Sequence, residues 1–202
     1  MIRRGLPLQP TLSPWPAWAR RCAVLAVAAA AVLALGLAAP GRAAPVRVVL
    51  SGPGHAMDYA REARRLIDGA AERIRVVVYV VRADDGPVRD LLQALADAAR
   101  RGVDVKVCLD YGAKFDDTAI DPKHEAPAAW LQANGVAVVL DEEDRTTHAK
   151  VLVVDRRHVL LGSHNWTASA LTRNREAAVV LDDATLADEL EVGLFATIPG
   201  ME

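Results

Sequence analysis

From residue 45 onward, the apolar positions follow two periods, one typical of buried strands and one typical of amphipathic helices. Short β-branched runs predict strands, and the run from Ile74 to Val81 is typical of a strand buried on both faces. Stretches with an apolar residue every three or four positions predict helices between them. The predicted strands cover residues 46–50, 74–81, 103–109, 136–140, 149–155, 158–161 and 176–181. The predicted helices cover residues 56–72, 84–102, 126–133 and 183–196, with a helical turn at 167–171.

This order of elements predicts an α/β fold, with a layered mixed β-sheet flanked by helices. Strands that alternate with helices, as between residues 46 and 109, favour right-handed crossover connections. Residues 111–125 interrupt the pattern with Gly112, Pro122 and several charges, which predicts a surface loop near the mouth of a site. No internal repeat is visible, and residues 44–202 are numerous enough for one domain with its own core.

The first 43 residues have a different pattern. Arg3, Arg4, Arg20 and Arg21 precede the uncharged stretch from Cys22 to Ala39, which small residues and Pro40 follow. This order is typical of a secretory signal peptide. Eighteen uncharged residues also reach the lower limit for a membrane span, so an uncleaved N-terminal anchor is the alternative. Either reading predicts export, to the periplasm or the medium, with anchoring to the inner membrane in the second case.

Without residues 1–43 the chain has 19 basic and 26 acidic side chains, a formal net charge of −7. That sign argues against a broad nucleic-acid-binding surface and leaves room for a local basic site. Cys108 is then the one remaining cysteine, within a predicted strand, and it is interpreted as a small buried hydrophobe. Cysteine and histidine nowhere have metal-ligand spacing, so no metal and no cofactor are predicted.

Chemistry-bearing residues concentrate in the pattern H-x-K-x4-D-x6-G-S-x-N, which runs from His148 to Asn165. Six fixed letters in eighteen positions match by chance on the order of 10⁻⁸ times per window. Because side chains two apart share a face of a strand, His148 and Lys150 are expected to point the same way. Gly162 allows a bend or a close approach to a ligand. Ser163 and Asn165 supply donors suited to phosphate oxygens.

This pattern resembles the HKD motif of the phospholipase D superfamily, whose members cleave or exchange phosphodiester bonds. The resemblance continues into Trp166-Thr167 and Asn174-Arg175-Glu176, and loosely covers residues 46–196. Many larger members carry two such motifs, whereas this chain carries one, as in the small bacterial endonucleases of the superfamily. The resemblance therefore implies a phospholipase D-like catalytic domain at 44–202 that forms a homodimer, with an active site shared across the two-fold axis.

The resemblance also assigns roles. His148 of one protomer is expected to be the nucleophile, through a phosphohistidine, and His148 of the other the general acid. Lys150 and Asn165 are expected to hold the phosphate oxygens, with Ser163 as a weaker candidate. Glu176 matches the acidic residue that orients a histidine. Asp155, the last letter of the motif name, is expected to be a partner of its turn more than a participant in the chemistry.

Several residues near the motif have simpler interpretations. Contact between His164 and substrate is left open, and His158 is read as a strand-face residue. His55 and His124 are predicted to be exposed, and residues 141–144 to form a solvated acidic loop. Trp130 and Trp166 fit either a core or a cleft.

Three functions fit these features. The first is an exported, metal-independent phosphodiesterase that acts on nucleic acid. The second is a phospholipase D that hydrolyses phospholipid head groups. The third is a non-catalytic phosphate-binding module, against which the intact His148, Lys150, Asn165 and Glu176 argue.

Overall fold

A computed structural model describes residues 45–83, 86–111 and 122–202, so the predicted N-terminal signal or anchor at 1–43 lies outside the described residues. The strands are β1 (Val46–Ser51), β2 (Arg73–Val78), β3 (Asp104–Leu109), β4 (Ala137–Leu140), β5 (Lys150–Val154), β6 (His158–Gly162) and β7 (Glu176–Asp182). The helices are α1 (Asp58–Asp68), α2 (Pro87–Arg100), α3 (Pro122–Ala133), α4 (Ala168–Thr172) and α5 (Ala184–Gly193), and a 3₁₀ turn (Phe195–Thr197) follows.

The seven strands form a single mixed sheet in the order β1-β7-β6-β5-β2-β3-β4. Strands β2, β3 and β4 are parallel and are connected through α2 and α3. The pairs β1–β7, β7–β6, β6–β5 and β5–β2 are antiparallel. This confirms the predicted α/β class and the layered mixed sheet.

The direction of β5 decides where the motif lies. Because β5 runs against β2, its first residue Lys150 pairs with Val78, the last residue of β2. At the same end of the sheet, Glu176 of β7 pairs with Ser51 of β1, and Gly162 ends β6. We call this end, where β1, β2 and β6 finish and β5 and β7 begin, the site end.

Two apolar cores cover the two faces of the sheet. The larger core lies under α1 and α2 and includes Leu152 and Val154 of β5. The smaller core lies under α5 and the C-terminal tail and includes Val151 and Val153. The alternation of β5 between the cores explains its continuous apolar sequence. Cys108 is fully buried in the smaller core, as predicted, and burial raises the pKa of its thiol to about 12.

The predicted loop at 111–125 is wrong at its C-terminal end, because α3 begins at Pro122. His124 was predicted to be exposed, and this is wrong, because its side chain is fully buried. Its Nδ1 lies 2.7 Å from the carbonyl oxygen of Asp110, and the N–H of Val81 donates to its Nε2 at 3.2 Å. Backbone partners on both ring nitrogens make it possible to bury this imidazole. Residues 112–121 lie outside the described part of the chain.

Within the described ranges, no helix combines the length and the hydropathy that a membrane span requires.

Candidate functional site

Three side chains meet where β5 begins and β2 has ended. The imidazole of His148 lies 4.4 Å from the ring of Tyr79, centroid to centroid, and the Nζ of Lys150 lies 4.8 Å above the same ring. His148 and Lys150 thus share one face, as their spacing predicts. His148 is exposed, whereas Lys150 is 7 % exposed and donates from Nζ to the carbonyl oxygen of His148 at 2.6 Å. An accessible imidazole therefore stands beside a buried ammonium group.

The environment of Lys150 suits an anion. Burial lowers the pKa of Lys150, while the negative charges of Glu176 and Asp110 act in the opposite direction. A cation that is partly removed from water interacts more strongly with a nearby phosphate than an exposed one does. The charge of Glu176 acts on Lys150, so the two side chains belong to one electrostatic environment.

Glu176 is held by two side chains. Ser163 donates from Oγ to one carboxylate oxygen of Glu176 at 2.5 Å, and Asn174 donates from Nδ2 to the other at 3.1 Å. The backbone N–H of Ala177 donates to the Ser163 hydroxyl oxygen at 3.2 Å. The hydroxyl proton of Ser163 is thus directed to Glu176, which makes Ser163 a residue that positions the carboxylate.

Asn165 lies on a short segment that the backbone fixes to the end of β2. The N–H of Trp166 donates to the carbonyl of Val80 at 2.9 Å, and the N–H of Arg82 donates to the carbonyl of Trp166 at 2.9 Å. The side-chain carbonyl oxygen of Asn165 is buried without a hydrogen-bond partner. Unpaired buried polar atoms are uncommon in folded proteins. An amide oxygen only accepts hydrogen bonds, so a contact from Asn165 to a phosphate oxygen would have to come from its Nδ2 group.

Asp155 lies at the opposite end of β5, about 20 Å along the strand from His148. Its carboxylate accepts the backbone N–H groups of Ala71, Glu72 and Arg73, each at 2.9 Å. Burial alone would raise the pKa of Asp155, but the three N–H groups outweigh burial and lower it. Although its name stands in the HKD motif, Asp155 is not part of the cluster around His148, and it ties the turn after β5 to the start of β2.

Gly162 is required by the sheet. A β-carbon at this position would lie 2.4 Å from the carbonyl oxygen of Ala177 and 2.5 Å from the Cα of Ala178. Both atoms belong to the backbone of β7, so neither can move aside cheaply. The sequence suggested a bend or a close approach to a ligand at Gly162. The structure shows a close approach to the neighbouring strand β7.

His164 is fully buried and has no surface that a substrate could contact. Its ring stacks on Tyr59 with centroids 4.1 Å apart, and its Nε2 lies 2.9 Å from the hydroxyl of Ser51. Burial lowers the pKa of His164 to about 4, against the opposing charge of Glu176. Its neighbour Trp166 is 1 % exposed and belongs to the core. Sequence reasoning left both residues open, and the structure makes both part of the interior.

The predicted solvated loop at 141–144 is wrong at its first residue. Asp141 is 7 % exposed and accepts the backbone N–H groups of Tyr111 at 2.5 Å and of Thr147 at 2.8 Å. These bonds connect the end of β3 to the segment that leads into His148. The three acids that follow Asp141 are exposed, as expected.

Sequence reasoning also missed Tyr79, which contacts both His148 and Lys150. Tyr79 follows a β-branched run, so its position predicted core packing. An aromatic polar residue at the end of a buried strand was the available signal. Within residues 45–83, 86–111 and 122–202, no three His, Cys, Asp or Glu side chains are arranged to hold a metal ion.

Comparisons with known proteins show the family to which the chain is related. Residues 63–195 match the family model described as cardiolipin synthase, PLD-like domain. Among solved structures, the fold superposes on a phospholipase D family member, Nuc from Salmonella typhimurium, with a TM-score of 0.61 and 30% identity over 73% of this chain and 90% of that chain. NucT from Helicobacter pylori superposes with a TM-score of 0.55 over 73% of this chain and 92% of that chain. Its sequence identity is 20%, so this match supports the fold and nothing further.

The curated relatives are longer proteins. Phospholipase D of Rickettsia bellii is 40% identical over 98 residues, which are 47% of this chain and 44% of the relative. Cardiolipin synthase A of Pectobacterium carotovorum is 30% identical over 147 residues, which are 72% of this chain and 29% of the relative. The chain therefore spans less than half the length of these curated relatives.

Proposed function

Because the chain belongs to the phospholipase D superfamily, whose members are phosphodiesterases, we propose that it hydrolyses phosphodiester bonds of nucleic acid with His148 as its nucleophile. The observation that carries this proposal is the exposed imidazole of His148 beside the buried ammonium of Lys150. A nucleophile must reach phosphorus, and a desolvated cation stabilises the charge that develops on the phosphate oxygens.

The reaction has two steps. The neutral imidazole of His148 attacks phosphorus and forms a P–N bond, while the bond from phosphorus to the leaving oxygen breaks and that oxygen takes a proton from a second, protonated imidazole. The second imidazole then removes a proton from water, which attacks phosphorus and breaks the P–N bond. Lys150 and Asn165 hold the non-bridging oxygens in both steps. The chain carries one motif, so the second imidazole is His148 of a partner protomer.

Glu176 positions an imidazole in this scheme and does not react. Its carboxylate is fixed by Ser163 and Asn174, so its charge has a defined place beside the phosphate site. A fixed carboxylate favours the protonated form of an adjacent imidazole, which the general acid needs.

Basic side chains beside the site support nucleic acid as the proposed substrate class. Arg82, Arg173 and Arg175 are exposed in two recesses that also contain Ser163, Asn165 or Glu176, so basic side chains flank this part of the site although the chain is acidic as a whole. Basic rims favour polyanions such as nucleic acid. The exposed large hydrophobic side chains of the described residues do not line these recesses; they are Val46, Val48, Trp130 and Val192.

The second candidate function is hydrolysis of phospholipid head groups. The 40% identity to a phospholipase D favours it, although this identity covers only 98 residues. A lipid substrate would need an apolar surface beside His148 for its acyl chains.

Purified full-length protein assayed with EDTA on plasmid DNA, RNA and phosphatidylcholine vesicles tests the proposal. We expect DNA or RNA cleavage that persists in EDTA and disappears in His148→Ala. Release of choline without nucleic acid cleavage would favour the lipid candidate, and inactivity on every substrate would favour a non-catalytic module. The control variant is His158→Ala, which removes a half-exposed imidazole on β6.

Two further parts of the proposal have their own tests. Sedimentation equilibrium should find a homodimer, and a fully active monomer would contradict the shared site. Cell fractionation should find the protein in the periplasm, in the medium or at the inner membrane, as the pattern of residues 1–43 predicts. Recovery with the cytosolic fraction would contradict export.

A further inference from the structure

A polar recess opens beside Asn165 and Asn174. It has a volume of about 390 Å³. Its walls come from the end of β2, the motif segment and α4, and its polar lining includes Arg82, Asn165, Thr167, Ser169 and Arg173. Volumes of roughly 300–1,000 Å³ are typical of sites for small ligands.

Two arginines in this recess have no partner among the residues that the structure describes. Arg82 and Arg173 are exposed, and within the described ranges neither side chain forms an ion pair or a hydrogen bond. Most exposed arginines elsewhere in these ranges pair with a carboxylate; examples are Arg61, Arg65, Arg100, Arg145 and Arg157. Two unneutralised guanidinium groups in one recess indicate a place for an anion.

Absence of a partner does not alone define a site. Arg156, in the turn after β5, also has no ion pair or hydrogen bond among the described residues, but it lies at the end of the sheet opposite His148. Arg82 and Arg173 differ because they share one recess with Asn165. Asn165 lines this recess and is also the carboxamide proposed to hold the scissile phosphate, so the recess and the proposed catalytic phosphate site have a common wall.

We propose that Arg82 and Arg173 form a second phosphate-binding subsite, which takes the backbone phosphate next to the scissile one in a nucleic acid strand. This inference rests on the proposed function and names its substrate more narrowly. A strand offers phosphates on both sides of each linkage, so it fills both sites at once. A glycerophospholipid such as phosphatidylcholine has one phosphate and leaves the second subsite empty.

The subsite acts on binding and not on the chemical step. Contacts to a neighbouring phosphate hold the strand equally in the ground state and the transition state, so they lower KM and leave kcat unchanged. They also make binding sensitive to salt, with a slope of about 0.7 per neutralised phosphate for a single strand.

The test compares two double variants of equal charge change. One is Arg82→Gln with Arg173→Gln, and the control is Arg61→Gln with Arg157→Gln, which removes two exposed arginines that are paired with carboxylates. With a single-stranded DNA 12-mer, the first variant should raise KM at least tenfold, retain kcat and reduce the salt slope. With bis(p-nitrophenyl) phosphate, which has one phosphate, both variants should match the wild type. An equal rise in KM for the control, or an equal loss on the small ester, would overturn the proposal.

Binding without turnover separates this proposal from the proposed function. In a His148→Ala background, fluorescence anisotropy should show that the 12-mer binds at least tenfold more weakly when Arg82 and Arg173 are replaced, with the thermal midpoint unchanged. Unchanged affinity would refute the subsite even if the enzyme cleaves DNA. Binding that depends on both arginines, in a protein whose wild type cleaves no substrate, would support the subsite and refute the hydrolysis.

Discussion

The two ends of β5 carry residues of one motif but treat polar groups in opposite ways. At the C-terminal end, the carboxylate of Asp155 accepts three backbone N–H groups. At the N-terminal end, His148 is exposed, Lys150 is partly desolvated, and the carbonyl oxygen of the nearby Asn165 has no partner. At one end the motif carboxylate is fully used by the fold, and at the other an imidazole and an ammonium group are placed where an anion can reach them.

Residues of a single motif can therefore be subject to two different constraints, one from the fold and one from the chemistry. Gly162 has its place because β6 and β7 must meet without a clash. Asp155 has its place because three backbone N–H groups at the start of β2 need an acceptor. No comparable contribution to the fold comes from His148, Lys150 or Asn165. Substitutions should therefore separate stability from activity along a single strand.

The largest expected effect is on activity. His148→Ala should reduce kcat on DNA on the order of 10⁴-fold or more, because it removes the nucleophile and the general acid together. The free energy of unfolding should change by less than about 0.5 kcal/mol, since the side chain is exposed. Single-turnover kinetics and urea unfolding measure the two quantities. His158→Ala should leave both near wild type, and a variant that retains turnover without His148 would contradict the assignment.

Asp155→Ala should show the reverse behaviour. Loss of three bonds to backbone N–H groups should lower the free energy of unfolding by about 2–4 kcal/mol. The activity of each folded molecule should remain within about threefold, as Asp155 lies far from His148. Urea titration with active-site counting checks this, with Asp188→Ala on the exposed side of α5 as the control. A strong fall in kcat at unchanged stability would give Asp155 a chemical role.

Gly162→Ala should lower the free energy of unfolding by about 1–3 kcal/mol, because the added β-carbon clashes with the backbone of β7. Gly193→Ala is the matched control, since nothing lies within 4 Å of a β-carbon built there. Thermal and urea unfolding of both variants measure the difference. Equal stability of the two variants would show that β6 and β7 can separate at this point without cost.

The smallest effect is the pH dependence of stability. Burial holds the pKa of folded His164 near 4, below its ordinary value of 6.5. Between these values the unfolded chain binds a proton that the folded chain does not, so stability is complete above pH 6.5 and falls as the pH decreases. The slope is at most about 1.4 kcal/mol per pH unit.

Urea unfolding between pH 7 and pH 5 measures this slope, and His164→Gln should remove it. The carboxyl groups whose pKa is lowered, including those of Glu62 and Asp155, have ordinary values of 4.5 or less and lose their contributions mainly below this range. An unchanged slope in the His164 variant would assign the pH dependence to other groups.

The strands and the face shared by His148 and Lys150 could be predicted because they depend on local periodicity. The burial of polar side chains in and near the motif could not be predicted. His124, Asp141 and His164 are buried through partners distant in sequence, such as Val81 and Ser51. Single-residue polarity predicts exposure for such groups, and only the folded partners reverse it.

Strand order was also beyond prediction from the sequence. The reversal of β5 against β2, which brings Lys150 to Val78, depends on pairing across more than seventy residues. That pairing places Tyr79 beside the motif, and the sequence alone gives Tyr79 the appearance of a core residue.

Chemical trapping tests the central claim most directly. Full-length protein is mixed with an oligonucleotide that carries a radiolabelled phosphodiester, quenched in alkali within one turnover, and digested for peptide mapping. The expected result is an acid-labile label on the peptide that contains His148, and its absence from His148→Ala. A label on another residue, or full turnover with no labelled peptide, would contradict the claim.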